Sequence, residues 1–295
     1  MEIFRHPGTA VPDRPRPAVE TAIGGEHGVD PLAAIDMPSA LRRWHAIANG
    51  PLAQCDEDVQ RALERARATL ATAGAGGGGG VVSLTALTVD QRRTLADVVG
   101  TGEVDIRIGG TPTYAIEETA FAGLWRGQAR DEVGGVIAEW LEVADVPRTV
   151  REAVGRFTVA ELGMPSVLPD GCMNVLPLLH ELRARMLDWQ QGEPNHVMSL
   201  SLFPLSPSDA ATLTHILGQA PLDLRSKGYG SCRVVPTRRR HVWAVQYFNV
   251  MENVILDTLE VGDVPAAVLA ASEDFQDSVR RLDEFLNAGD DGAAT

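Results

Sequence analysis

Apolar residues recur at helical spacing in three stretches before the C-terminal region, at about 39–48, 57–73 and 175–189, which predicts a helix in each. One helix is predicted for residues 57–73, where Val59, Leu63 and Leu70 share a face and the preceding Asp56 is the N-cap. Another is predicted for residues 175–189, with an apolar stripe that starts at Val175, and its candidate cap is Asn174.

The C-terminal region carries the pattern of one long amphipathic helix. It is predicted to begin at Asp263 or Val264, with Pro265 in its first turn, and to end at Gly289. Its apolar stripe is Val268, Phe275, Val279, Leu282 and Leu286. The acidic residues lie largely off that stripe, as expected for a helix with one buried face.

The most informative feature is an internal repeat with a shift of 118 residues. Residues 87–147 overlay residues 205–265 without a gap, and 18 of the 61 aligned pairs are identical. A match of that length and quality predicts a duplicated unit.

Each copy predicts the same order of elements. A strand (81–86 or 198–203) leads to a helix, which is followed by three or four short strands. The helix begins at Thr88 or Ser206, each with Gln or Asp three residues later as in a capping box. It ends at Gly100 or Gly218, where a positive φ is expected. Short connections favour an antiparallel arrangement.

These patterns predict an α+β fold made of two tandem copies of a unit, each a helix plus an antiparallel β-meander, with flanking helices. The predicted division of the chain is a disordered arm (1–35), a helical segment with a Gly linker (36–80), the first repeat (81–160), a linker with an amphipathic helix (161–196), the second repeat with the C-terminal helix (197–288) and a frayed tail (289–295).

Composition narrows the function classes. The 295 residues carry a net charge of −14, which argues against binding of a nucleic acid backbone. No apolar run approaches the roughly 20 residues that cross a bilayer, so no membrane insertion is expected. The N-terminus lacks the apolar core of a signal peptide, and the three cysteines are widely spaced. The expected location is therefore cytoplasmic.

The charge is unevenly distributed along the chain. Residues 252–295 hold 11 Asp or Glu against two Arg, whereas residues 224–251 hold no Asp or Glu and include Lys227, the only lysine. Such a basic window is either a polar turn with solvated arginines or a docking patch.

Two cysteines are candidates for chemistry. Cys232 follows a Gly-Tyr-Gly turn and lies between Lys227 and Arg233, a setting that can lower a thiol pKa. The alternative is a small apolar strand residue. Cys172 precedes the predicted helix start at Asn174, where either thiolate stabilisation or simple packing is expected.

No catalytic or metal-binding motif is present in the sequence. The histidines and cysteines do not have zinc or iron–sulfur spacing, and the run Gly76–Gly80 lacks the lysine of a phosphate loop. The Gly228-Tyr229-Gly230 turn in the second copy replaces Gly110-Thr111-Pro112 in the first, so the second copy is the better candidate for a site. Trp243 reads as a core or interface aromatic.

Several motifs together identify a resemblance. The stretches Ser226–Arg233, Met198–Pro204 and Ile255–Val261, with Met173-Asn174 and Glu273-Asp274, resemble the hydrogenase expression/formation proteins of the HupH/HyaF type. That resemblance covers roughly residues 81–286. Lys227 and Ser231 depart from the arginine and asparagine of the family pattern.

The resemblance implies a cytoplasmic, non-enzymatic chaperone for maturation of nickel–iron hydrogenase, without a cofactor of its own. Its partner would be the iron–sulfur small subunit or its precursor, bound before assembly and export, with other maturation proteins as further partners. The candidate functional residues are Gly228, Tyr229, Gly230, Cys232, Arg233, Trp243, Cys172, Met173, Asn174 and Asp274.

Two alternatives stay open from the sequence. A thiol-active or iron–sulfur-handling protein would use Cys232 and Cys172. A generic protein–protein adaptor would use the arginine-rich turn 238–240.

Overall fold

The computed structural model describes residues 56–228 and 230–287. Their six helices are α1 (Glu57–Gly74), α2 (Val89–Val99), α3 (Arg148–Phe157), α4 (Val175–Asp188), α5 (Pro207–Leu217) and α6 (Asp274–Asn287). Their ten strands are β1 (Gly80–Ser83), β2 (Val104–Ile108), β3 (Thr113–Glu118), β4 (Leu124–Arg130), β5 (Val136–Val143), β6 (His196–Ser199), β7 (Leu222–Ser226), β8 (Ser231–Pro236), β9 (Val242–Phe248) and β10 (Val254–Val261). The predicted α+β class is confirmed.

All ten strands belong to one antiparallel sheet, in the order β1-β5-β4-β3-β2-β7-β8-β9-β10-β6. In each half, four consecutive strands form the expected meander, and the strand before the helix adds next to the last one. The bounds of α2 and of β2–β5 recur 118 residues later as α5 and β7–β10.

The two halves join through β2 and β7. Ile106 lies opposite Leu224, with Val104 opposite Ser226 and Ile108 opposite Leu222. Because Ile106 and Leu224 are themselves 118 residues apart, the pairing is symmetric about this one residue pair, as in an interface between two equivalent surfaces. The sequence predicts two units, and their union in a single sheet is a finding of the structure.

One side of the sheet, here called the helix face, is covered at both ends by pairs of helices. At the second-half end, Met198, Ala244 and Leu259 pack with Leu179 of α4 and Leu213 of α5 in one buried cluster. At the first-half end, Arg92 of α2 contacts Glu139 of β5 at 3.7 Å. The middle of the helix face, between the two pairs, carries mainly polar side chains.

The larger apolar core covers the opposite face of the sheet and also includes the contacts of α1 and α2 with the first-half end of the helix face, through residues such as Leu63, Leu95 and Leu141. Ile106, Trp125 and Trp243 point to the opposite face and are buried there with Val150 of α3 and Val268 of a short 3-10 turn. At about 25 cal/mol per Å² of apolar surface removed from water, such fully buried aromatics are among the largest stabilising contributions in the fold.

The predicted caps of α1, α2 and α5 and the predicted ends of α2 and α5 agree with the structure. Thr88 and Ser206 both form complete capping boxes, and Gly100 and Gly218 end the two helices with φ of 61° and 60°. Asp56 accepts a hydrogen bond from the Asp58 amide at the start of α1. Capping boxes and glycine helix ends depend on residues that are close together in sequence, so they can be predicted without knowledge of tertiary contacts.

Four sequence predictions need correction. The long helix from Asp263 or Val264 is wrong: a 3-10 turn (Ala266–Val268) comes first, and α6 begins only at Asp274. The predicted strand 198–203 is β6 followed by the 3-10 turn Leu200–Leu202. Helix α3 was not predicted. Gly80, which was predicted to belong to the Gly linker, is instead the first residue of β1 and pairs with Val143. The predictions for residues 1–35, for residues 36–55 and for the tail 289–295 lie outside the described residues.

Candidate functional site

The predicted site turn connects β7 to β8. The Lys227 amide donates to the Glu103 carbonyl at 3.0 Å, and a Cβ on Gly228 would lie 2.3 Å from a Glu103 carboxylate oxygen. Gly230 has φ of 87°, a conformation that L side chains rarely adopt. Tyr229 lies outside the described residues. Gly230 therefore has a backbone reason, whereas the contact at Gly228 is with a flexible carboxylate that can move. The turn is anchored to the first half through the Lys227 amide.

Cys232 is buried on the opposite face of the sheet, with 4% of its surface exposed. Burial raises the pKa of its thiol; a hydrogen bond from the Ser226 backbone opposes the shift, and Glu260 adds to it. The pKa values of Glu260 and of Tyr247 are also raised, chiefly by burial. Of the two sequence interpretations, the raised pKa and the burial of Cys232 favour the small apolar strand residue.

Arg233 points away from Cys232, to the helix face. Its guanidinium binds Asp223 through Nε at 3.0 Å and Nη2 at 2.9 Å. Burial opposes ionisation of Asp223, but hydrogen bonds from Arg233 and then Arg225 prevail and lower its pKa. The alternation of side chains along β8 explains why Arg233 and Cys232 lie on opposite sides of the sheet, because adjacent residues in a strand point to opposite faces.

Trp243 is in the core, as the first of its two predicted roles requires. Its side chain is 2% exposed, and its indole N–H donates to the Gly262 carbonyl at 3.3 Å. Trp125, which lies 118 residues earlier, donates to Ala144 in the same way at 2.9 Å. Asp274 is exposed in the first turn of α6.

The segment that immediately precedes α4 contains three of the candidate residues, Cys172, Met173 and Asn174. The Cys172 sulfur lies 3.3 Å from the Thr212 hydroxyl, and Met173 is 76% exposed. The Asn174 side chain donates to the Pro204 carbonyl instead of capping α4. Asn174 therefore occupies the predicted N-cap position of α4, but its side chain makes no capping hydrogen bond.

Asp209 of α5 performs that capping function across space. One carboxylate oxygen accepts the amides of Met173, Asn174 and Val175 at 2.8 to 3.0 Å. The other accepts the Ser206 amide at 2.9 Å. Burial raises its pKa, but the hydrogen bonds outweigh burial and lower the pKa to about 2. The capping-box signal locates Asp209 in sequence, but nothing local shows that α4 is its second partner.

The predicted site residues are thus not brought together. Cys232 belongs to the larger core and Cys172 packs against the smaller one, on the other face of the sheet. Within residues 56–228 and 230–287, no group of three or more His, Cys, Asp or Glu is arranged to hold a metal ion. Among these same residues, no helix is long and apolar enough to span a bilayer.

The polar residues at the middle of the helix face form a feature that sequence reasoning missed, here called the central strip. Arg126 bridges Glu117 at 3.0 Å and Glu139 at 2.7 Å, and the strip contains a cavity of about 180 Å³. Its members are Asp105, Arg107, Glu117, Arg126, Asp223, Arg225 and Arg233. Their period-2 spacing in adjacent strands is the signal that could have revealed them.

The arginine-rich turn 238–240 is also largely engaged in structure. The Arg239 guanidinium donates to the Ile216 carbonyl at 2.6 Å and to the Glu161 carbonyl at 3.1 Å, so it satisfies the C-terminal end of α5. Arg238 donates to the Gln219 carbonyl at 3.4 Å. These contacts favour the first interpretation of the basic window, a structured polar turn.

Comparisons with known proteins agree on one family. The model of the HupH hydrogenase expression protein C-terminal conserved region matches residues 58–158 and 172–289. Hydrogenase expression/formation protein HoxQ of Azotobacter vinelandii is 38% identical over 90% of this chain and 94% of its own. HupH of Rhizobium leguminosarum bv. viciae is 42% identical over 68% and 71%, and hydrogenase-1 operon protein HyaF of Escherichia coli is 34% identical over 69% and 71%. The chain belongs to the HupH family of hydrogenase expression proteins.

Proposed function

We propose that this protein is a non-enzymatic chaperone that acts in the cytoplasm in the maturation of nickel–iron hydrogenase. The observation that carries the proposal is family membership, since relatives across most of the chain are named hydrogenase expression/formation proteins. The client proposed is the iron–sulfur small subunit or its precursor, bound before assembly and export.

The sheet supports binding of a polypeptide client. Strands β1 and β6 end the sheet on its two sides, and an edge strand can pair with an extended segment of another chain. On β6, Val197 is 55% exposed, and on β1, Val81 is 62% exposed. Within residues 56–228 and 230–287 the outer sides of these two strands have no strand partner, so we propose them as the places where a client segment adds.

A thiol-active role receives no support from the geometry. The pKa of Cys232 is raised by burial, so its thiol stays protonated at neutral pH and is a poor nucleophile or metal ligand. Cys172 belongs to a different core.

Copurification tests the proposal directly. A tagged full-length chain, expressed in cells that make the hydrogenase, should recover the small subunit or its precursor, and deletion of the gene should reduce hydrogenase activity. Val197→Lys, which places a charge on the β6 edge, should weaken recovery. Val133→Lys, at an exposed residue in the β4–β5 turn, is the matched control. Normal hydrogenase activity without the protein would refute the proposed function.

A further inference from the structure

Helix α6 covers one end of the first half of the molecule. Arg67 of α1 binds Asp283 of α6 at 2.9 Å, and Arg281 donates to the Ala120 carbonyl at 3.0 Å. The Phe275 ring lies so close to Gly123 that a Cβ there would be 2.2 Å from it. The apolar side of α6, with Phe275 and Leu282, is buried in the larger core.

The corresponding surface of the second half can be located residue by residue. Gly80 pairs with Val143 and His196 pairs with Val261, so α1–β1 corresponds to α4–β6 with a shift of 116 residues instead of 118. The buried stripe of α1 (Val59, Ala62, Leu63, Ala66, Leu70) and that of α4 (Val175, Leu178, Leu179, Leu182) agree with this shift.

By this correspondence, α4 presents the residues that α6 would cover. Arg183 takes the place of Arg67, Met186 that of Leu70, and Leu187 that of Ala71. Among the described residues Arg183 has no side-chain partner, although Arg67 has Asp283. Leu187 is 77% exposed.

No helix covers this surface within the described part of the chain. Instead, the extended segment 159–163 runs along it. The Val159 amide donates to the Arg238 carbonyl at 2.9 Å. Arg238 corresponds to Ala120, whose carbonyl accepts a hydrogen bond from Arg281 of α6 in the first half. Leu162 from this segment is buried in the smaller core. Between the segment and α4 remains a cavity of about 410 Å³, here called the α4 groove, lined by Ala160, Glu161, Leu162, Gly163, Arg183, Met186 and Leu187.

We propose that the α4 groove docks an acidic amphipathic helix of a partner protein, which lies beside α4 in the part of the α6-equivalent position that segment 159–163 leaves open. The partner helix places apolar side chains on Met186 and Leu187, and a carboxylate on Arg183, as Asp283 does on Arg67. Helix-in-groove recognition has this combination of apolar anchors and a flanking charge.

This proposal goes beyond the proposed function, because it holds whichever protein is the client. The α4 side of the groove carries Arg183 and the 159–163 side carries Glu161, so an acidic residue of the partner helix is complementary to the groove only where it faces α4 and pairs with Arg183. The net charge of −2 in α6, which has four acidic residues and two arginines, gives the kind of helix expected.

A stapled helical peptide with the sequence of residues 274–287 is a suitable probe, measured by fluorescence anisotropy against the full-length protein. We expect saturable binding with Kd below about 1 mM. Arg183→Glu should weaken binding by about fivefold or more. Leu187→Asp should weaken it by about tenfold. Arg185→Glu, with the same charge change on another side of α4, is the matched control and should leave the Kd unchanged.

A charge exchange makes the test specific. A peptide with Asp283→Lys should bind the Arg183→Glu protein better than the wild type. Loss of binding in Arg67→Glu but not in Arg183→Glu would mean that the peptide displaces α6 from α1, and would overturn the proposal. Absence of saturable binding would overturn it too. A dimer of the wild-type chain that Arg183→Glu dissociates would identify a second copy as the occupant and overturn the partner assignment. Unchanged circular dichroism verifies the fold of each variant.

Discussion

Asp209 gives the most direct test of how the second half is held together. Its side chain is fully buried and serves two helices, as the capping-box residue of α5 and as acceptor for three amides at the start of α4. Asp209→Asn keeps the volume but removes the charge. It also replaces one acceptor oxygen with a donor, which leaves at least one of the buried amides without its partner.

The expected cost at pH 7 is about 2–4 kcal/mol, since hydrogen bonds to a charged group contribute about 1.5–3 kcal/mol each and an unpaired buried donor is unfavourable. The lowered pKa of Asp209 gives an independent value for the free energy that its charge contributes to folding. A fall from 3.8 to about 2 corresponds to about 2 kcal/mol at 1.36 kcal/mol per pKa unit. Because the folded-state pKa is lowered, this contribution is present above about pH 4 and is lost as the pH falls towards 2.

Urea unfolding of the wild type and of Asp209→Asn, measured from pH 7 down to pH 2.5, determines both quantities. Gln91→Ala is the matched control, because Gln91 closes the equivalent capping box of the first half and should cost only about 1 kcal/mol. The gap between wild type and Asp209→Asn should narrow below pH 4. An Asp209→Asn variant as stable as Gln91→Ala, or a gap that is constant with pH, would refute the reasoning.

Three further predictions concern single side chains. Cys232→Ala should cost about 1 kcal/mol in urea unfolding, and the native thiol should react with iodoacetamide much more slowly at pH 7 than the unfolded one; equal rates would contradict its burial. Gly123→Ala, at φ of 79°, should cost about 2 kcal/mol or more and increase amide exchange in α6, whereas normal exchange would show that the α6 contact adjusts freely. Arg233→Ala should cost about 2 kcal/mol by leaving Asp223 with one arginine, against less than about 1 kcal/mol for the exposed Arg107→Ala; equal costs would contradict the ion pair.

Elements with local signals could be predicted from the sequence. The capping boxes at Thr88 and Ser206 and the ends at Gly100 and Gly218 depend on residues within one or two turns. The internal shift of 118 residues correctly gave the same order of a helix and following strands in both halves, and the observed bounds of α2 and of β2–β5 recur at that shift. The break before α6 is different: Val268 and Phe275 fit one helical stripe, yet both are buried through tertiary contacts that the stripe does not reveal.

The candidate site could be predicted less well, because its chemistry depends on which face each side chain takes. Lys227 and Arg233 flank Cys232 in sequence, but strand alternation directs Arg233 to Asp223 and buries the thiol on the other side. Asp209 and the start of α4 are 34 to 36 residues apart. A pairing across that distance has no local pattern, so the sequence locates the N-cap position at Asn174 but does not show that Asp209 supplies the capping hydrogen bonds.

The symmetric joint between β2 and β7 has a consequence for assembly of the chain. Because Ile106 lies opposite its own counterpart Leu224, the β2 edge of one molecule is complementary in register to the β2 edge of another. During folding, each newly formed half therefore exposes an edge that can pair with the wrong chain as readily as with its own second half. Covalent linkage favours the correct outcome through the high effective concentration of the tethered partner. Concentrated refolding is then the condition in which strand-exchanged dimers compete with the monomer.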